Sequence, residues 1–118
     1  MANIYKNKFY EPTVTTAITV YTCPSNATAI VQNIQLSNTG GSKNVTAKLN
    51  DSSASATYSI AYASITGPTI CNIAKGPIVL EENDALSLES TTTSGITAVL
   101  SILEISREDQ NGWARGVL

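Results

Sequence analysis

Apolar and polar side chains exchange places every second residue through most of this chain, in short stretches separated by turn-forming residues. A period of two is the signature of a strand with one face buried and one wet, because successive side chains on a strand point to opposite faces. Thr16 to Thr22 alternates, with Ile18 and Val20 on one face. Ala29 to Ser37 alternates again: Ile30, Ile34 and Leu36 share a face with Gln32, and Val31, Asn33, Gln35 and Ser37 take the other. Val45, Ala47 and Leu49 face inward against Thr46, Lys48 and Asn50. Tyr58, Ile60 and Tyr62 alternate with Ser59, Ala61 and Ala63, and Leu86 and Leu88 with Ser87 and Glu89. Thr69 to Ile73 and Ile78 to Leu80 are shorter runs.

The breaks between these stretches carry recognisable turn chemistry. They are Cys23-Pro24-Ser25-Asn26, Asn38-Thr39-Gly40-Gly41-Ser42, Asn50 to Ser55, Gly67-Pro68, Lys75-Gly76-Pro77, Glu81 to Asp84 and Thr91 to Gly95. The two glycine-containing breaks at 38–42 and 91–95 read as hairpin tips. Ile96 to Ile105 differs from the other stretches. Ile96, Ala98, Leu100 and Ile102 form one apolar face, and Val99, Leu103 and Ile105 most of the other. Such a strand is central in its sheet or covered by another chain. About eight short strands and no helical pattern predict an all-β fold, an antiparallel β-sandwich of the jelly-roll kind.

A chain of 118 residues fits one domain. The strand pattern bounds it at 15–105. Residues 1–14 read as an N-terminal arm carrying Tyr5, Phe9 and Tyr10 beside Lys6 and Lys8. Residues 106–118 read as a C-terminal arm carrying Trp113 and Leu118. Large aromatic side chains make good interface anchors. Tyr5, Phe9, Tyr10, Trp113 and Leu118 are therefore the candidate interface residues. Tyr58 and Tyr62 read as sheet packing rather than ligand stacking.

Charged residues make up only 14% of the chain, with a net charge of −2 and no basic cluster. Nucleic-acid binding draws on clustered Lys and Arg, so no nucleic-acid partner is expected. No apolar run reaches the roughly 18 residues of a membrane span, and no membrane partner is expected. Met1 to Lys6 lacks a signal-peptide apolar core, so the chain is expected to be made and kept in a cytoplasm. There is no histidine. That removes Ser-His-Asp triads, Cys-His dyads and His-containing zinc sites together. No phosphate-binding glycine motif occurs. Cys23 and Cys71 are too few for a four-thiolate site and are expected to be reduced, half-buried thiols on strands. Glu81, Glu82 and Asp84 form the one acidic cluster. It could hold calcium or a carboxylate pair, but Asn83-Asp84 is ordinary turn chemistry. We expect no enzyme, no catalytic residue, no metal and no cofactor.

Val20 to Ile34 (VYTCPSNATAIVQNI) and Gly76 to Leu88 (GPIVLEENDALSL) together resemble the small β-sandwich virion proteins of tailed bacteriophages. The first is a turn with Pro followed by an Ile/Val strand, and the second a Gly-x-Ile-Val-Leu-Glu-x-x-Asp connection. The resemblance covers about Thr15 to Ile105. It implies a structural role in the virion with no catalytic residue to carry over: a capsid decoration or cement protein that stabilises the head by self-association and arm exchange. The alternative is a neck, tail or fibre component, with a receptor- or glycan-binding tip among the forms it could take. The expected partners are further copies of the chain, closed into a ring with a trimer first, and the major capsid protein or other virion proteins.

Overall fold

The structure is a computed structural model, and it describes residues 2–106. All its regular elements are strands: β1 (Ala2–Tyr10), β2 (Ile18–Thr22), β3 (Ala27–Asn38), β4 (Lys43–Asp51), β5 (Ala56–Ile65), β6 (Thr69–Asn72), β7 (Ile78–Leu80), β8 (Ala85–Ser90) and β9 (Ile96–Ser106). Sheet I runs β1-β9-β3-β6, with β7 also on β3. Sheet II runs β2-β8-β4-β5. Every pairing is antiparallel.

β6 and β7 are two halves of one edge strand. β6 pairs residues 35–38 of β3, and β7 pairs residues 29–31. Between them the Ile73 amide still reaches the Ile34 carbonyl at 3.0 Å, and Asn72 Oδ1 accepts the Ile34 amide at 3.0 Å. Pro77 has no amide hydrogen, so the ladder cannot run unbroken through Gly76-Pro77. Counted as one, they leave four strands per sheet, and the chain passes from sheet to sheet at almost every connection. That is the jelly-roll plan.

The connections at 39–42 and 91–95 are therefore not hairpin tips. β3 and β9 belong to sheet I, and β4 and β8 to sheet II, so both loops cross the sandwich. Turn chemistry reports that the chain reverses. It does not report whether the next strand lies beside the last or across from it. β4 and β5 are the consecutive strands that pair, through the turn at 52–55.

The core lies between the sheets. Val31, Ile34, Leu36, Leu100 and Ile102 of sheet I meet Val45, Ala47, Leu86 and Leu88 of sheet II. Each fully buried aliphatic side chain contributes about 1.5–3 kcal/mol. The alternation in β3 changes phase at Gln32, an extra residue between the pairs Val31–Ile102 and Asn33–Ser101. A bulge adds a residue to one strand and shifts the facing of everything beyond it. Ala29 and Val31 therefore point inward with Ile34 and Leu36, and Ile30 points outward. An unbroken period of two places Ile30 and Val31 the other way round.

Residues 2–10 are not an arm outside the sandwich. β1 pairs with β9 along its whole length, from Ala2–Ser106 to Tyr10–Ala98. Its inward face carries Lys6 and Tyr10 in place of aliphatic residues, which hides the strand period. Tyr10 is a core residue, 2% exposed, and cannot serve as an interface anchor. Its hydroxyl is buried with no protein partner among the described residues. Burial, with the charge of Glu89, pushes its pKa up. A buried hydroxyl without a partner costs stability that phenylalanine does not. Tyr10→Phe should hold or raise the chemical-denaturation midpoint, by up to about 1 kcal/mol. A clear loss would mean that the hydroxyl is satisfied in solution.

Cys23, just beyond β2, is buried and donates its thiol to the Ala27 carbonyl at 3.4 Å. Cys71 lies on β6, half-buried.

Candidate interaction surface

The outer faces of the two sheets differ. On sheet II the outward side chains include Thr46, Lys48, Ser59, Ser87 and Glu89. Lys48 and Glu89 form an ion pair at 2.7 Å. This face is polar apart from Tyr62, which lies beside Thr46 at the β5 edge and is exposed. On sheet I an apolar row crosses four strands: Tyr5 of β1 lies beside Leu103 of β9, Leu103 beside Ile30 of β3, and Ile30 beside Val79 of β7. Tyr5 is 76% exposed and Val79 55% exposed. Leu103 and Ile30 are half-buried by their neighbours. With strands about 4.8 Å apart the row is about 14 Å long. A second apolar pair, Phe9–Val99, runs parallel to it. Between them lies the polar row Asn7–Ser101–Asn33. An open depression of about 620 Å³ sits there, lined by Tyr5, Asn7, Lys8, Gln32 and Ser101 among others.

Of the candidate interface residues, Tyr5 and Phe9 are on this face and strongly exposed. Tyr10 is not, and Trp113 and Leu118 lie outside the described residues. The sequence reading did not assign Ile30, Leu103 and Val79 to an interface with Tyr5. Leu103 was signalled by the two-sided apolar pattern of β9, and Ile30 was hidden by the bulge at Gln32.

β5 forms an edge of sheet II with Tyr58 and Tyr62 exposed. Beside it two adjoining depressions, about 480 and 280 Å³, share Tyr62, Ile73 and Lys75. Tyr62 therefore projects from the sheet rather than packing into it.

The acidic turn gathers Asp51, Glu81 and Asp84, with one carboxylate oxygen of each within 4.8 Å of the others. Glu82 is not in this group, and Asp51 joins it from the β4 end. The oxygens of Asp84 accept backbone hydrogen bonds, from Ser52 N at 3.0 Å and Glu81 N at 2.9 Å. Asp51 accepts the Ser53 hydroxyl at 2.7 Å, which holds its carboxyl below the ordinary range. Asn83 takes a left-handed conformation, φ 67°, which Asn tolerates better than most residues. These bonds close the turn and tie it to the β4–β5 loop.

A buried polar cluster joins the sheets. Glu104 of β9 points inward and is 6% exposed. Its carboxylate accepts the Tyr21 hydroxyl at 2.6 Å and pairs with the Lys6 ammonium at 3.1 Å. Burial works to raise the pKa of Glu104. The hydrogen bonds from Tyr21 and Lys6, with the charges of Lys6 and Lys8, bring it below its ordinary value. Tyr21 is pushed up, first by burial and then by the carboxylate.

No family model matches the chain, and no curated protein matches it. Solved structures with partial likeness include the following three, each at 12% identity. The CBM22-1–GH10 modules of endo-1,4-β-D-xylanase 10B from Clostridium thermocellum, solved with xylohexaose, align over 71% of this chain and 17% of that one, with a TM-score of 0.43. The virus-like particle of the extra small virus of the prawn Macrobrachium rosenbergii aligns over 87% and 80%, TM-score 0.38. Infectious bursal disease virus, Gt strain, aligns over 91% and 32%, TM-score 0.40. The chain itself is an antiparallel jelly roll with one polar and one partly apolar outer face.

Proposed function

We propose that this chain is a structural subunit of a virus particle that assembles through the outer face of sheet I. The observation that carries the reading is the apolar row Tyr5–Leu103–Ile30–Val79, set against the polar outer face of sheet II. Contiguous exposed apolar surface on a soluble domain marks a contact with another molecule. The whole chain has no histidine, and no metal or cofactor enters the reading. The motifs at 20–34 and 76–88 support the finer form: a capsid decoration or cement protein of a tailed phage, binding further copies of itself and the major capsid protein. Many weak contacts repeated over a shell give strong retention through multivalency.

Two measurements test it. Light scattering on the purified protein should give a closed homo-oligomer, a trimer first. The double variant Tyr5→Asp/Val79→Asp should shift it to monomer with its thermal midpoint nearly unchanged, because both side chains are exposed. A wild type that stays monomeric at high concentration rejects self-assembly. Copy number in purified particles then decides location: hundreds of copies fit the head, a few to a few dozen fit the neck or tail.

Tyr58 and Tyr62, projecting at the β5 edge, favour a second reading, a glycan- or receptor-binding module of a tail fibre. Oligosaccharide titration with Tyr62→Ala as control separates it from the first.

A further inference from the structure

We propose that two copies of this chain pack the outer face of sheet I on itself, about a two-fold axis running along the strands, so that β1 of each copy covers the β6–β7 edge of the other. The inference rests on the assembly reading above, and it names the partner, the orientation and the copy number for that face.

The first observation is charge. The strands of sheet I carry three charged residues, Lys6, Lys8 and Glu104. Lys6 and Lys8 lie beside the core residues Ile102 and Leu100 of β9, and Glu104 is itself buried. Paired residues share a face, so all three are on the inward side. Among the described residues, every outward side chain of the five strands is therefore uncharged. Surface that stays in water ordinarily mixes charges of both signs, as the Lys48–Glu89 pair does on sheet II. Loss of charge with aromatic residues kept is the pattern of the centre of an interface. A charge-free face holds nothing to attract an acidic or basic partner and nothing that repels a copy of itself.

The second observation is area. The outward positions from Thr97 to Ile105 of β9 span about 27 Å, and the four strands, each about 4.8 Å wide, span about 19 Å. That is about 500 Å² per copy and about 1,000 Å² for a pair, the size at which a specific interface begins.

The third is side-chain size, which fixes the orientation. Facing sheets align their strands to within about 30°, so a two-fold axis between them lies near the strand direction or near its perpendicular. An axis across the strands puts β1 on β1 and the β6–β7 edge on its own copy. Tyr5 then meets Phe9, both large, and Val79 meets Asn72, both smaller. One side of the contact is wedged apart and the other gaps. An axis along the strands exchanges β1 with the β6–β7 edge and β9 with β3. Tyr5 then meets Val79 of the second copy, Phe9 meets Asn72, Leu103 meets Ile30, and the polar row lies on itself. Large against small lets two layers interdigitate at the density of a protein interior. A face matched to itself closes at two copies, so the closed oligomer this surface builds is a dimer rather than a trimer.

Charge pairing between full-length variants tests this. Tyr5→Lys and Val79→Glu each put an unpaired charge into the contact. Each alone should dimerise at least about 30-fold more weakly than wild type. An equimolar mixture of the two should regain a heterodimer in sedimentation velocity, because the new charges face each other when the axis runs along the strands. Tyr5→Lys mixed with Phe9→Glu should stay monomeric. Circular dichroism and thermal midpoints check that each variant is folded, as expected for exposed positions. A wild-type trimer, a Tyr5→Lys/Val79→Glu mixture that stays monomeric, or rescue by Phe9→Glu in its place overturns the inference and leaves assembly through this face standing. A Tyr5→Lys protein that associates like wild type, or a wild type that stays monomeric at high concentration, overturns both.

Discussion

Asn38→Ala should cost this fold about 3 kcal/mol or more, a drop of roughly 10–20 °C in thermal midpoint. Asn38 ends β3 and is 3% exposed. Its amide donates to the Gly41 carbonyl at 3.0 Å and the Gly67 carbonyl at 2.9 Å. Its oxygen accepts the Lys43 ammonium at 2.7 Å. Lys43 is itself 6% exposed and also bonds the Gly40 carbonyl. One side chain thus fastens the β3–β4 crossing to the β5–β6 loop and neutralises part of the cost of burying a lysine. Truncation leaves the ammonium one acceptor short in a site closed to water, and a buried charged donor that loses a hydrogen-bond partner is costly. Gly95 caps the same spot with φ 77°, and a Cβ there would meet Thr39 Oγ1 at 2.8 Å and Lys43 Nζ at 3.1 Å. The double variant Asn38→Ala/Lys43→Met should recover much of the loss, because it removes the stranded charge as well. Equal losses in the single and double variants would show that Lys43 does not depend on Asn38. Urea denaturation of the three proteins measures it.

The strand plan was legible because each half-buried strand writes its facing into the sequence with a period of two. β2, β4, β8 and β9 are readable in that way, and the central place of β9 follows from its second apolar face. Three things were not legible, each for a physical reason. β1 sits at a sheet edge, and its inward face holds Lys6 opposite a buried acid, so hydrophobicity does not mark it. The bulge at Gln32 adds one residue without any composition change, and all facing assignments before or after it invert. The loops at 39–42 and 91–95 contain ordinary turn residues, and nothing local distinguishes a crossing between sheets from a hairpin.

The candidate surface was half legible for the same reasons. Tyr5 and Phe9 stood out as aromatics among polar neighbours. Their companions Leu103, Ile30 and Val79 come from three other strands and meet only through register. A row across a sheet is a long-range object, and its adjacent members Tyr5–Leu103, Leu103–Ile30 and Ile30–Val79 lie 98, 73 and 49 residues apart in the chain. Glu104 is a similar case. In sequence it is one carboxylate in an apolar stretch. Its meaning depends on Tyr21 and Lys6, which no local pattern connects to it.

That cluster gives the second large effect, and it is tied to pH. Lys6→Met should lower stability at neutral pH by about 1–3 kcal/mol, a range below the usual 3–5 for a broken buried pair because the Lys6 side chain is 36% exposed. The sign with pH follows from Glu104. Its folded pKa lies below its ordinary value of 4.5, so it binds its proton less readily folded than unfolded. A depressed acid contributes stability that is present above the unfolded pKa and is lost as pH falls through the folded one. In Lys6→Met the ammonium bond and charge are gone, burial still pushes the carboxyl up, and its pKa rises. The deficit of the variant therefore exists only while Glu104 is ionised. It should be largest near pH 7 and close as the pH falls below about 4.5. Tyr21 sets the other limit: its raised pKa gives stability that is present below 10 and lost as pH climbs towards the folded value. Paired urea titrations of wild type and Lys6→Met at pH 7, 5 and 3.5 measure the difference directly. A deficit that stays constant across that range would mean that Lys6 acts by packing its aliphatic stem, and the charge of Glu104 would then have no part in holding β1 to the sandwich.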